Sequence, residues 1–288
     1  MDSYIIKEEN TLGIRARRII AHVVLIFMTL LCLFWFYVLF INATRTNSEI
    51  MLGFSFLPGD MLVKNFKNLL ADDAIPIVSG LINSLIVSGG SALLATYFST
   101  MTAFAIHAYN FKFKNAIFTF ILMVMMIPTQ VTTLGFIKML RDLDWTNQLW
   151  PLIIPSIASP TVFFYLKQYM QSCLPHSLLE AARIDGSGEF RTFNTIVMPL
   201  MKPAIAVQAI FTFVSSWNNY FTPALILTEL EKKTLPILLA MLRSKDWSTL
   251  DRGQVYMMIS LSILPVIVVY MFLSKHIVQG LTVGSVKE

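Results

Sequence analysis

Two runs in this sequence, 19–41 and 204–227, contain no Asp, Glu, Lys or Arg, and nothing else in the chain limits its fold so strongly. At ~1.5 Å per residue, each is long enough to cross a hydrocarbon layer ~30 Å thick as a helix. Similar apolar runs at about 75–105, 116–137, 150–166 and 254–273 bring the expected number of spans to six. The fourth is interrupted by Pro151, Pro155 and Pro160, which membrane helices tolerate where neighbours satisfy the freed carbonyls. With 56% hydrophobic and 14% charged residues and a mean hydropathy of +0.66, an ordinary soluble domain is excluded. The expected fold class is all-α, a polytopic membrane protein. It comprises an N-terminal segment 1–18, a membrane domain 19–276 and a tail 277–288.

An even number of spans puts both termini on one side, together with the stretches near Lys112 and Glu180. That side carries only narrowly more Lys and Arg than the other, but Arg15, Arg17 and Arg18 directly precede the first span, where the charge bias acts most strongly. The termini and the Glu180 stretch are therefore expected in the cytoplasm. The first apolar run is too long, and lacks a small-x-small site behind it, to read as a cleavable signal peptide.

Between the fourth and fifth spans lies a polar loop, 174–203. Pro175 suits the first turn of a short helix through Leu178, Ala181 and Ala182, and Gly186 is suited to end it in the left-handed conformation. A second helix can start at once, with Ser187 as its N-cap and Glu189 in its first turn. Phe190, Phe193, Val197 and Leu200 recur at three- and four-residue spacing. The expectation is a bent pair of amphipathic helices outside the lipid.

The residues Glu180, Ala181, Ala182, Gly186, Ile196 and Pro199 resemble, in order and spacing, the EAA loop of permease subunits from binding-protein-dependent ABC importers. Asp185, Phe193 and Pro203 fit the sugar-importing branch. The ending Gly280-Leu281-Thr282-Val283-Gly284-Ser285-Val286-Lys287 resembles that of the smaller, six-helix permease subunit in maltose-type importers. The resemblance implies a cytoplasmic-membrane protein of a bacterium or archaeon that works by alternating access. It also implies four kinds of partner: a second, non-identical permease, two ATPase subunits, an external sugar-binding protein and the sugar itself. Glu180, Ala181, Ala182, Asp185, Gly186, Ile196 and Pro199 are then the coupling residues. No cofactor is expected on this chain, because it has no Gly-x-x-x-x-Gly-Lys-Ser/Thr loop for phosphates. ATP and Mg belong to the partner subunits, so the chain is no enzyme by itself, and nothing in it calls for nucleic acid.

Two polar features inside the spans invite a pathway role. Ser84, Ser88, Ser91, Ala95 and Ser99 form one stripe on the second span beside Gly89 and Gly90, a pattern that lets helix backbones approach closely. Its alternative is a pore lining, with Ser84 and Ser88 as candidates. On the fifth span, Ser215-Ser216-Trp217-Asn218-Asn219-Tyr220 is costly in hydrocarbon unless it faces protein or a wet cavity. Trp217, Asn218 and Asn219 are the candidates there, since rings and amides suit sugars. Adjacent helical residues point about 100° apart, so one asparagine is expected on the pathway and the other against a neighbouring helix or the partner permease; Asn218 is preferred for the pathway, because Trp217 and Phe221 flank the other directions.

The outer loop 228–251 corresponds by position to the loop that, in the maltose-type relatives, probes the binding protein. Arg243, Lys245, Asp246 and Trp247 are the candidate contacts, and a solvated connector is the alternative. Cys32 and Cys173 read as packing residues, the 16 methionines as gap-fillers, and the four histidines as interfacial. No span interior holds an ionisable Asp, Glu, Lys or Arg, which disfavours an ion-coupled carrier. A permease for a non-sugar solute stays open, and the Glu180 motif argues against a mere membrane scaffold.

Overall fold

Residues 5–246 and 249–284 are described by a computed structural model, and among them every regular element is helical. Four helices are long and apolar enough to cross a membrane, Gly13–Ala43, Ile77–Ala108, Glu189–Trp217 and Arg252–Ser274; a bent pair brings the number to as many as five. Contacts divide the chain into two compact units, 1–69 with 247–260 and 70–246 with 261–288.

The first unit is built on α1 (Ile5–Ala43), whose apolar side chains from Ile19 to Trp35 are all exposed, as a lipid-facing or partner-facing helix requires. Its far end is tied off by Arg45, a buried cation that donates to Asn42 Oδ1 at 3.1 Å and to the carbonyls of Gly53 and Glu49. Three acceptors around one guanidinium replace the water it has lost. A capping box between Thr46 and Glu49 starts α2 (Asn47–Met51). From α3 (Leu62–Leu70), Asn65 donates to the carbonyls of Ala43 and Arg45 at 2.9 and 3.0 Å. Gly253, in the first turn of the long C-terminal helix, presses on this knot. A Cβ there would sit 2.7 Å from Asn65 Nδ2 and 2.8 Å from the Arg45 carbonyl.

The second unit packs around α4 (Ile77–Ala108), on which Ser84, Ser88, Ser91, Ala95 and Ser99 are all buried. Small side chains let neighbours come close: a Cβ on Gly90 would lie 2.8 Å from Ile153, and one on Gly80 would meet Leu238. Gly89 faces open space. The predicted third span is broken into α5 (Lys114–Met125) and α6 (Thr129–Asp142), bent by 95°. Pro128 disfavours helix at Ile127, which places the break. The predicted fourth span is likewise not one helix. It runs as α7 (Trp150–Ile153), a 3-10 turn over Ile154–Ile157, a break at Ala158 and Ser159, and α8 (Pro160–Cys173) with proline in its first turn.

After α9 (His176–Ile184) comes α10 (Glu189–Thr192), which passes through a π turn, Phe193–Val197, into α11 (Met198–Trp217). This is one continuous helix of 29 residues, so the second loop helix is the beginning of the fifth span rather than a separate element. The wider turn sits just before Pro199, whose ring crowds the preceding turn and supplies no N–H. The fifth span also ends ten residues earlier than the run 204–227 predicts, at Trp217. The polar pair Asn218-Asn219 interrupts it before the short α12 (Phe221–Ile226).

Between α12 and Arg243 the loop 228–251 is folded rather than a solvated connector. A 3-10 turn at Leu230–Lys232 leads into α13 (Leu235–Arg243), whose Leu235, Leu238 and Leu242 are fully covered. From α4, Asn83 donates to the carbonyls of Glu231 and Lys233 at 2.8 and 3.1 Å, and Ser84 accepts from the Leu235 N–H at 2.8 Å. Asn147 accepts from Thr228 and Glu229 at 3.2 and 3.0 Å. The last helix, α14 (Arg252–Gly284), closes the chain. Of the tail motif, 285–288 lie outside the described residues.

Candidate functional site

The Glu180 loop is a hydrogen-bonded turn on an apolar base. Pro175 occupies the N-cap of α9 rather than its first turn, and Leu179 and Ala182 point into the core. At the other end the backbone closes as a Schellman motif: Ser187 N–H donates to the Ala182 carbonyl at 2.9 Å and Gly186 N–H to that of Arg183 at 3.0 Å. Gly186 has φ +75°, the left-handed conformation the sequence predicts. A Cβ there would meet nothing within 4 Å, so glycine is needed for the backbone and not for space. The next helix is capped by Gly188, not by Ser187. Instead, the Ser187 hydroxyl accepts from Thr192 Oγ1 at 2.9 Å, across the first turn.

A charged clasp ties the two arms of the turn. Arg183 Nε lies 3.0 Å from Glu189 Oε1, and its guanidinium sits 5.5 Å from the centre of the Tyr109 ring, at the end of α4. The Tyr109 hydroxyl is pushed above its usual range, first by burial and then by the Glu189 carboxylate, while the hydrogen bond to Glu189 holds Arg183 still higher than usual. Beneath the clasp, Phe193, Val197 and Met201 join Leu174, Leu179 and Phe104 in one buried cluster. Above it, Ile184 is 85% and Phe190 71% exposed. Glu180, Ala181, Asp185 and Pro199 are also on the surface, with Ile196 half-buried at the π turn. His107 and His176 stack here with ring centres 4.6 Å apart, and His107 Nε2 is 2.8 Å from the Leu174 carbonyl. The sequence hides this pair, because its members stand on different helices.

At the opposite end of the 29-residue helix, Trp217 is 3% exposed, stacks on Phe213 and donates to the Ser262 carbonyl at 3.2 Å. The asparagines that follow face different spaces. Asn218 lines a cavity of about 300 Å³ together with Trp217, Tyr220, Pro236, Leu239 and Arg243. Asn219 lines another of about 360 Å³ with Thr132, Thr133, Ser216 and Thr222. Ser84 and Ser88 are enclosed in helix contacts and border neither.

The four outer-loop candidates separate. Arg243 joins Trp217 and Asn218 at the cavity. Lys245 is held by Asp72 at 2.6 Å, largely out of solvent. Asp246 is exposed, and Trp247 lies outside the described residues. Cys32 and Cys173 are both free thiols.

Residues 95–283 match the family described as binding-protein-dependent transport system inner membrane component. A permease protein of the Bacillus subtilis arabinooligosaccharide transport system, AraQ, is 35% identical over 266 residues, covering 90% of this chain and 92% of its own. UgpE of Yersinia pestis, a permease protein of an sn-glycerol-3-phosphate system, is 30% identical over 93% of this chain and 96% of its own. Among solved structures, a chain of a bacterial ABC transporter involved in the import of the acidic polysaccharide alginate superposes with a TM-score of 0.78. It shares 22% identity, over 91% of this chain and 96% of that one, and so attests the fold. The turn at Gly186, the helix it opens and these matches together make the chain a member of the binding-protein-dependent transport system inner membrane components, a multi-pass permease of an ABC importer.

Proposed function

We propose that this chain is the smaller permease of an ATP-driven importer for a carbohydrate or polyol-derived solute, passed on by an extracytoplasmic binding protein and moved by alternating access. The broken helices α5–α6 and α7–α8 each count as one crossing in this reading. That gives six crossings with both termini in the cytoplasm. A second, non-identical permease covers the open face, and two ATPase subunits, which hold ATP and Mg, receive the Glu180 loop. The printed names of the relatives, an arabinooligosaccharide and an sn-glycerol-3-phosphate system, support a polyhydroxy solute.

One observation carries the reading. Two large apolar side chains, Ile184 and Phe190, project into solvent from a clasped, glycine-terminated turn. Exposed apolar groups on a rigid support are a docking surface, and this one opens directly onto a helix that ends at the Asn218 and Asn219 cavities. Closure of the ATPases would move that helix as a body. The test is an Ile184→Ser, Phe190→Ser double variant purified with its natural partners. ATPase subunits should be lost from the complex while the chain stays in the membrane, and retention at the wild-type ratio would sink the proposal.

A further inference from the structure

The cavity at the end of the 29-residue helix is lined by one charged group, Arg243, at the last turn of α13. No acidic side chain among the described residues lines it. Among the described residues no carboxylate pairs with the Arg243 guanidinium, although the neighbouring Lys245 is matched by Asp72. The remaining walls divide by chemistry. Tyr220 offers ring surface, the buried Trp217 only an edge of its ring, Pro236 and Leu239 an apolar floor, and Asn218 an amide with two donors and an acceptor. The Trp217 N–H is already spent on the Ser262 carbonyl, so the indole contributes its body and not its donor.

Rings and an amide suit the apolar faces and hydroxyl rim of a sugar. An unpaired guanidinium adds a condition. A neutral solute seated over it would strip water from a charge without replacing it, which is costly. A carboxylate or phosphate returns the lost solvation and matches the planar fork with two parallel hydrogen bonds. We propose that this cavity is a solute subsite selecting polyhydroxy compounds that carry a carboxylate or a phosphate, with Arg243 reading the anionic group and Asn218 and Tyr220 the sugar body, while Trp217 backs the wall. The proposal rests on the transport reading above and narrows its substrate class.

The test uses the complete complex with its natural permease and ATPase partners, without the binding protein, in lipid nanodiscs. Tryptophan fluorescence is titrated with galacturonate, glycerol 3-phosphate, galactose, glycerol and inorganic phosphate, and Trp217→Phe identifies the part of the signal that belongs to the cavity. At least one of the two anionic polyols should bind saturably and roughly tenfold or more tighter than its neutral counterpart. The choice between galacturonate and glycerol 3-phosphate assigns a carboxylate or a phosphate. Arg243→Gln should weaken that binding by a similar factor and Arg243→Lys by less, in complexes that assemble normally on size exclusion. Three results would each overturn the inference: both neutral polyols binding as tightly as their anionic counterparts, binding of the preferred anionic polyol unchanged in Arg243→Gln, or inorganic phosphate binding as well as that polyol. The transport reading fails separately, if vesicles holding the whole importer and its binding protein import no carbohydrate or polyol in the presence of ATP.

Discussion

At Gly186 and Gly253 the same residue type serves two different needs, and the two substitutions should behave differently. Gly186 has φ +75° with open space around it, so the cost of a side chain is that of the left-handed backbone, about 1–2 kcal/mol for most residues and less for Asn. Gly186→Asn should keep ATP hydrolysis coupled to uptake, whereas Gly186→Val should raise hydrolysis per solute imported several-fold or release the ATPases. Equal coupling ratios in the two variants would refute the backbone explanation. Gly253 has the opposite problem: its added Cβ meets a main-chain carbonyl that cannot rotate away. Gly253→Ala should destabilise the first unit by about 1–3 kcal/mol, seen as a lower midpoint of thermal unfolding of the purified complex. Gly89→Ala, with nothing within 4 Å, should leave the midpoint unchanged or raise it. The Gly186 turn is legible in sequence because its cause is local, a helix that must end within a few residues. The Gly253 contact is not, since Arg45, Asn65 and Gly253 meet only through the fold.

Elements show the same division between local and distant causes. The charge-free runs fall on α1, α4 and α14, because burial in lipid imposes length and composition on each helix alone. They misplace the end of the fifth span, where the apolar run continues past an interruption at Asn218 and Asn219. They also leave the helix within 228–251 unassigned, because this loop is held by partners from distant segments, with Asn83 and Asn147 bonding the stretch before α13 and Ser84 its first residue. Its closing contact, Lys245 with Asp72 at 2.6 Å, is largely out of solvent, so it reads as a fastening rather than a contact for the binding protein. Lys245→Asp alone should therefore lower the yield of assembled complex, and Asp72→Lys with Lys245→Asp should restore most of it. No rescue by the double exchange would return Lys245 to the binding-protein surface. The clasp offers a second test. Tyr109→Phe keeps the ring under Arg183 and loses the hydroxyl near Glu189, whereas Tyr109→Ala loses both. Stimulation of ATPase activity by the loaded binding protein should fall a few-fold more in the alanine variant, and equal loss in both would give the hydroxyl the whole role.

For the whole molecule, the first helix presents a surface that water would not accept. Cys32 is exposed among Leu30, Leu31, Leu33 and Trp35, and a free-standing apolar face of that extent has to be covered by lipid or by another chain. In intact membranes a charged, membrane-impermeant thiol reagent should leave Cys32 unmodified, and a bilayer-soluble maleimide should reach it unless a partner chain lies over it. Modification by the charged reagent would place the 19–41 run outside the membrane. The helix from Glu189 to Trp217 has a consequence of another kind. At ~1.5 Å and ~100° per residue, its 29 residues span about 44 Å and fix the angular phase between its two ends. The Gly186 turn and the asparagine pair are thus geared to each other: a single residue inserted in the middle would turn one end by about 100° against the other. Both ends would keep every local contact and yet be out of step.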